Sequence, residues 1–563
     1  MPDSNVMATP NFAMYPVPSS RLGRVVAVSG GWAVVMLDDV DPHAASAQVG
    51  TLIAISGPET QVFGIIEGLS LPIPRRQLGQ SEPRLAEIHL LGELVEESAA
   101  GSLIFRRGVS SLPCLNDSVF VASSADTATV YAMPQRQSVR IGTIHQDPSV
   151  SALVSVDDLL GRHFAIVGST GSGKSCALAL LLHEIIEINP NGHVLLLDPH
   201  GEYCQAFGDR AKRMSVDQLR LPFWTLEFEE LVEILFSAEK NSMAAEIAVL
   251  RQLVLRARLS YAHDKHEHAS ITVDTPTPYT LSELNYLLEQ EIGRLTNQAT
   301  LAPLFRLKTR LNAVQSDTRY GFLFPNELVL RDDLSSILGE LFRIPTNGKP
   351  ICTLDLSGVS SEIMNVVVAV ICRLAFDLAV SIGKRAPLLV ICEEAHRYAP
   401  QDTELGFEPA KRSLARIAKE GRKYGISLGL LSQRPGEMAV SILSQCSTMF
   451  AFRMTNDVDQ DMIQAALSDV STALVNSLPL LGNGEAVVVG EGVVVPMRVC
   501  LAQLPPVQRP RSNSAKFSDV WQHEGVGVEV LFRIVDGWRR GDCASRRSYW
   551  QINENRLFGP PRC

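Results

Sequence analysis

The sequence predicts an α/β protein: a mostly parallel sheet with helices on both faces, preceded by a small β-barrel and interrupted by a helical insertion. Three observations lead there. From residue 163, short apolar runs alternate with longer segments: "HFAIVG" (163–168), "HVLLLD" (193–198), "ICTLDL" (351–356), "LLVICE" (388–393), "SLGLLSQ" (427–433) and "TMFAFRM" (448–454). Runs without polar alternation suit strands buried on both faces, the condition of a parallel sheet. Before residue 135 the runs are broken by Gly, Pro and Asp, as in "RVVAVSGGWAVVML" and "QVFGIIEGL", a spacing that suits a barrel or sandwich. Between 215 and 345, "EFEELVEILFSAEKNSMAAEIAVLRQLVLRAR" and "TLSELNYLLEQEIGRL" take the spacing of three to four residues that marks helices.

These elements divide the 563 residues into an N-terminal arm (1–19), the barrel (20–135), a core in two pieces (136–214 and 346–502), the insertion (215–345), and a linker with tail (503–563). "MPQRQSVRIGTIHQDPSVSALVSVDDLLGRH" reads as the link from barrel to core, and "EAVVVGEGVVVPMRVCL" (485–501) as a hairpin turning at Gly490–Gly492. Apolar residues make up 46 % and charged residues 20 %, an ordinary folding composition. The stretch 363–382 is long and apolar but holds Asn365, Arg373 and Asp377, so it is expected to be a buried helix and not a membrane span. The N-terminus has no charged segment followed by an apolar core, and the cytoplasm is the expected location. Ten cysteines are scattered without a CxxC pair, which fits reduced thiols better than disulfides or a zinc site. "HDKHEH" (263–268) concentrates three histidines, but its loop-like context argues against a metal site. The net charge of −10 argues against a chain coated in nucleic acid, though not against a narrow basic channel. Residues 503–563 run the other way, with ten Lys/Arg against six Asp/Glu.

"GSTGSGKS" (168–175) matches G-x-x-x-x-G-K-[ST], with an apolar run before it and a helical pattern after it. Gly171 and Gly173 let the backbone bend so that its N–H groups point at phosphate oxygens, with Thr170 and Ser172 completing the loop. Lys174 is placed to reach the β- and γ-phosphates of ATP, and Ser175 offers a hydroxyl to Mg²⁺.

"LLVICEEAHRY" (388–398) ends an apolar run on two carboxylates. Adjacent carboxylates repel, and burial raises both pKa values, so the pair needs a reason. A strand beside a phosphate loop ends in an acid that orders Mg²⁺, partly through water, and hydrolysis needs a second carboxylate to polarise the attacking water. Glu393 is the expected metal residue and Glu394 the expected base, with bound Mg²⁺ offsetting their repulsion. A helix-capping pair is the structural alternative. Asp198 ends "LLLD" at the same carboxyl edge, where ligands bind in such sheets; a turn-forming role for it remains open.

With "DPHGEY", "EEAHRYAP", "ARIAKEGRKYGISLGLLSQRP" and "STMFAFRMTNDVDQDMI" added to the phosphate loop, the chain resembles the HerA family of DNA translocases across roughly 140–500. That group also contains FtsK and the coupling ATPases of type IV secretion. The resemblance implies a RecA-like P-loop ATPase core and a ring of six subunits with ATP and Mg²⁺ at their interfaces. It further implies duplex DNA bound without regard to sequence, and a partner such as a NurA-like nuclease or an NAD hydrolase, the latter in a phage-defence role. The alternative is a ring-shaped ATP-binding scaffold for such an effector. By the same resemblance Arg422, among Lys411, Arg412, Arg416, Lys419 and Lys423, is the expected cation reaching into a neighbour's site, and Gln433 of "LLSQRP" the expected γ-phosphate sensor. The tail after 505 has no counterpart in the resemblance. "FRLKTRLNAVQSDTR" (305–319) reads as a solvated charged face rather than a DNA contact.

Overall fold

The computed structural model describes residues 21–38, 47–57, 60–71, 83–97, 102–133, 136–219, 221–236, 239, 242–261, 270–294, 298–323, 333–402, 406–466, 472–511, 517–522 and 527–540. The arm, "HDKHEH" and the last 23 residues lie outside this set.

The first sheet has seven antiparallel strands: β1 (Arg21–Ser29), β2 (Trp32–Leu37), β3 (Leu52–Ser56), β4 (Gln61–Ser70), β5 (Arg84–Glu97), β6 (Ser102–Arg107) and β7 (Ser118–Val121). Their order is β2-β1-β7-β3-β4-β5-β6, and β2 also pairs with β5, which closes a barrel. Side chains alternate across each strand. Ile53 and Ile55 fill the barrel, while Leu52 and Ala54 on the opposite face join the core of the second sheet.

The second sheet has eleven strands: β8 (Ser138–Ile144), β9 (Ser151–Ser155), β10 (His163–Val167), β11 (His193–Asp198), β12 (Ala211–Ser215), β13 (Ile351–Asp355), β14 (Leu388–Cys392), β15 (Ile426–Ser432), β16 (Cys446–Ala451), β17 (Glu485–Gly490) and β18 (Met497–Leu501). The order is β12-β13-β11-β14-β15-β10-β16-β17-β18-β8-β9, parallel from β12 to β16 and antiparallel beyond. Burial on both faces explains the unbroken apolar runs: Leu388, Val390 and Cys392 pack on one side of β14, Leu389 and Ile391 on the other. The stretch expected to be a link supplies β8 and β9, which extend this sheet. Strand β12 comes from "AKRMS", too polar to stand out as a strand.

The insertion contains the helices Phe228–Phe236, Ala244–Tyr261, Leu281–Arg294, Gln298–Ser316 and Leu334–Leu341. They pack on the face that also carries the helices Ser361–Ile382 and Glu408–Tyr424. By length and composition Ser361–Ile382 could cross a membrane, but most of its apolar side chains are packed in the core. Its Arg373 is matched there: Glu230 of the insertion takes Nε at 2.9 Å and Nη2 at 3.0 Å, and the Thr225 carbonyl accepts from Nη2 at 2.6 Å. This planar fork on a carboxylate satisfies a cation that burial alone would forbid. The basic residues of 305–319 are all engaged by carboxylates: Arg306 by Glu246, Lys308 by Glu289, Arg310 by Glu239, and Arg319 by Asp317 and Glu362.

Candidate active site

Parallel pairing brings the ends of β10, β15, β14, β11 and β13 to one edge of the sheet. The phosphate loop, Gln433, the Glu393–Glu394 pair and Asp198 all follow those ends. Strand β15 lies between β10 and β14, so the acid pair stands two strands away from the loop and Gln433 sits between them.

The loop turns between β10 and the helix Lys174–Ile188 through Gly168, Gly171 and Gly173, whose φ values are 151°, 73° and 116°. At Gly171 a left-handed φ is needed and no atom lies within 4 Å of where a Cβ would point, so the backbone faces open space. Ser172 is buried and its Oγ donates to the Ser169 carbonyl at 2.7 Å, pinning the turn. Lys174 Nζ donates to the carbonyls of Gly168 at 2.7 Å and Ser169 at 2.9 Å. Burial pushes its pKa down, opposed by the charges of Glu394, Glu393 and Glu202.

The two glutamates occupy opposite environments. Glu393 is buried; its Oε1 accepts from the Tyr203 hydroxyl at 3.3 Å, and its Oε2 has no hydrogen-bond partner. Burial, with Asp198, Glu202 and Glu394 nearby, pushes its carboxyl well above the usual range. Glu394 has a left-handed backbone at φ 52°, ψ 44°, a conformation that costs a non-glycine residue about 1–2 kcal/mol. That turn aims its side chain at a different set of partners. Gln433 Nε2 donates to Oε1, His200 Nε2 stands 3.7 Å from Oε1, and His396 Nδ1 stands 3.3 Å from Oε2. Burial works against its charge, yet His200, His396 and Lys174 hold the Glu394 carboxyl below its usual range. The expectation that both carboxyls rise is thus corrected: only Glu393 rises. Environments that push neighbouring carboxyls apart separate their roles. Glu394 is held ionised, as a base must be. Glu393 is a buried carboxyl among acids, and Oε2 of each glutamate lacks a hydrogen-bond partner.

Gln433 bridges the site, since its Oε1 also accepts from the Thr170 hydroxyl. Asp198 organises the edge: Oδ1 accepts from the N–H groups of His200 at 3.3 Å, Gly201 at 2.7 Å and Glu202 at 3.2 Å, and Oδ2 from that of Tyr203 at 3.0 Å. Its carboxylate is spent on the turn that delivers His200 to Glu394 and Tyr203 to Glu393. This geometry is that of the turn-forming alternative, at the same sheet edge as the acid pair. His200, Tyr203 and His396 were not singled out from the sequence, although they stand inside "DPHGEY" and "EEAHRY"; an acid ending a strand before His-Gly was the available signal.

Arg422 is exposed, without a hydrogen-bond or ion-pair partner among the described residues, at the end of the helix Glu408–Tyr424. It precedes the start of β15, whereas the loop lies beyond the ends of the strands. At about 3.3 Å per residue, β15 alone separates the two by roughly 20 Å. Arg412 pairs with Glu229, Arg416 with Asp377, and Arg434 with Glu437.

A magnesium ion suits the donor set. The buried Glu393 Oε2 has no hydrogen-bond partner, and Ser175 follows Lys174 in the first turn of the helix after the phosphate loop, so the candidate donors are hard oxygens. Ser175 and Glu393 would hold it, and when bound it neutralises charge on the phosphates.

A strand, a glycine turn, a helix opening on lysine, and an acid pair at the same sheet edge define a P-loop ATPase. Residues 139–375 match the family model described as "Helicase HerA, central domain". The chain is 28 % identical over 499 residues to the DNA double-strand break repair helicase HerA of Pyrococcus furiosus, covering 82 % of this chain and 83 % of that one. It is 26 % identical over 524 residues to a probable DNA double-strand break repair helicase HerA of Methanocaldococcus jannaschii, covering 83 % and 92 %. The fold is similar to that of VirB4 of Thermoanaerobacter pseudethanolicus, with a TM-score of 0.50, 15 % identity, and coverage of 67 % of this chain and all of that one. Over most of its length the chain is thus similar to HerA helicases.

Proposed function

We propose that the chain forms a hexameric ring that moves along duplex DNA, driven by Mg²⁺-dependent ATP hydrolysis at the interfaces between subunits. The split environment of Glu393 and Glu394 carries this reading, because a site that only binds nucleotide has no need of an ionised carboxylate beside the loop. In the hydrolytic step Glu394 accepts a proton from the attacking water while Gln433 orients that water through its amide. The water oxygen bonds to the γ-phosphorus, and the bond to the β-bridging oxygen breaks, yielding ADP and phosphate. Lys174 neutralises the charge gathered on the phosphates.

The position of Arg422 supports the ring: a cation on the far edge of its own sheet can stabilise transferred charge only in a neighbour. The relatives named as break-repair helicases support DNA as the track, and backbone contacts would make that track independent of sequence. A nuclease or NAD-hydrolase partner fits the barrel, where Trp32, Leu69, Leu71, Leu112 and Leu115 are exposed. The cytoplasm is the compartment this work requires.

The test is displacement of a third strand from a triplex on linear duplex DNA. ATP-dependent displacement by a particle six chains in mass is expected. A ring that binds ATP but leaves the triplex intact would instead favour a scaffold for an effector enzyme.

A further inference from the structure

Away from the acid pair, the antiparallel half of the second sheet gathers three different metal-binding side chains. His145 follows β8, Glu485 opens β17, and Cys500 lies in β18. Their donor atoms lie within 4.8 Å of one another. Nδ1 of His145 is 3.4 Å from Oε1 of Glu485 and 3.5 Å from Sγ of Cys500, and that sulfur is 3.9 Å from Oε1.

These separations resemble the edges of a coordination tetrahedron. With Zn–N and Zn–O lengths of about 2.0–2.1 Å and Zn–S of about 2.3 Å, a tetrahedral ion spaces N from O by about 3.3 Å and S from either by about 3.5 Å. The surrounding groups hold the donors in place. Arg498 Nη2 donates to Oε2 of Glu485 at 2.6 Å, the Gly482 N–H donates to the same oxygen at 3.1 Å, and the His145 N–H donates to the Arg498 carbonyl at 2.9 Å. Outer contacts of this kind orient metal ligands. All three residues are only partly buried, which leaves one side open to water.

We propose that His145, Glu485 and Cys500 bind one divalent cation of the zinc class, with three protein ligands and one open position. The spacing of the cysteines could not reveal it, because one ligand lies about 350 positions from the other two and only the β8–β18–β17 pairing joins them. The soft sulfur separates this site from the all-oxygen magnesium site. Binding converts the Cys500 S–H to a metal-bound thiolate and releases its proton to solvent. The site also lies beneath the phosphate loop: the Gly484 N–H donates to the Ser172 carbonyl at 3.1 Å, and the Leu501 N–H to the Gly484 carbonyl at 2.9 Å. A cation here fastens the hairpin that supports the loop and takes no part in phosphoryl transfer.

The test uses the full chain, washed with chelator, titrated with Co²⁺ alone and without nucleotide. We expect one Co²⁺ per chain, with a thiolate charge-transfer band and the visible bands of a tetrahedral ion, both displaced by Zn²⁺ and not by Mg²⁺. Cys500→Ser, a one-atom change, should abolish the charge-transfer band. His145→Ala should weaken binding at least about 10-fold, while Lys174→Ala should leave the spectrum unaltered. An octahedral spectrum, or a tetrahedral one that survives both Cys500→Ser and His145→Ala, overturns the assignment.

Discussion

Gln433 donates its side-chain amide to Oε1 of Glu394, joining the end of β15 to the end of β14. Its carbonyl oxygen accepts from Thr170, so the same amide spans from the candidate base to the phosphate loop. We predict that Gln433→Ala lowers ATP turnover by about 10²-fold, within the range for a group that positions a proton transfer. Nucleotide affinity should change less than threefold. Steady-state hydrolysis and equilibrium nucleotide binding measured side by side check this. A parallel loss of both would place Gln433 in nucleotide binding instead.

Arg422 and the phosphate loop stand at opposite edges of one sheet. Arg422→Ala should therefore lower turnover by about 10³-fold, the lower end for a trans-acting arginine, with the protein's own loop intact. Mixing Arg422→Ala chains with Lys174→Ala chains should restore part of the activity, because some interfaces then pair an intact loop with an intact arginine. No recovery in rings shown to exchange subunits contradicts the assignment.

The Glu230–Arg373 pair ties the insertion to the long apolar helix of the core. Glu230→Ala leaves the buried guanidinium only the more distant carboxylates of Asp377 at 3.6 Å and Glu227 at 3.8 Å, which should cost about 3 kcal/mol. Urea unfolding measures this directly. A loss below about 1 kcal/mol would mean that the pair is solvated in solution.

His163 opens β10 with a neutral ring. Its Nδ1 accepts from the Leu428 N–H at 3.0 Å, and burial lowers its pKa to about 4 from an ordinary 6.5. Above 6.5 the ring is neutral folded and unfolded, and its contribution to stability is intact. As pH falls from 6.5 towards 4, only the unfolded chain takes the proton, and roughly 3 kcal/mol is lost. His163→Gln should flatten the stability profile over that window. An unchanged slope would assign the acid sensitivity to other groups.

The sheet and its loaded edge were legible because the physics there is local. Two-sided burial removes polar alternation, and glycines before Lys174 are demanded by a backbone that must approach phosphate. The strands β8, β9 and β12 were not legible, since they lie at the margins of the sheet and carry polar residues. Asp198 could be placed at the edge but not given its task, which depends on four backbone N–H groups converging on it. The opposite shifts of Glu393 and Glu394 were hidden for a related reason. Adjacent carboxylates look alike until the left-handed turn at Glu394 directs one towards His200, His396 and Gln433 and leaves the other among acids.

The most direct measurement compares ATP hydrolysis by the intact chain and by Glu394→Gln, each with and without long duplex DNA, alongside nucleotide binding. The intact chain should be stimulated by DNA. Glu394→Gln should bind ATP normally and turn it over at least about 10²-fold more slowly under both conditions. Turnover in Glu394→Gln within a few-fold of the intact chain would contradict the assignment of this carboxylate as the base, and with it the account of the site.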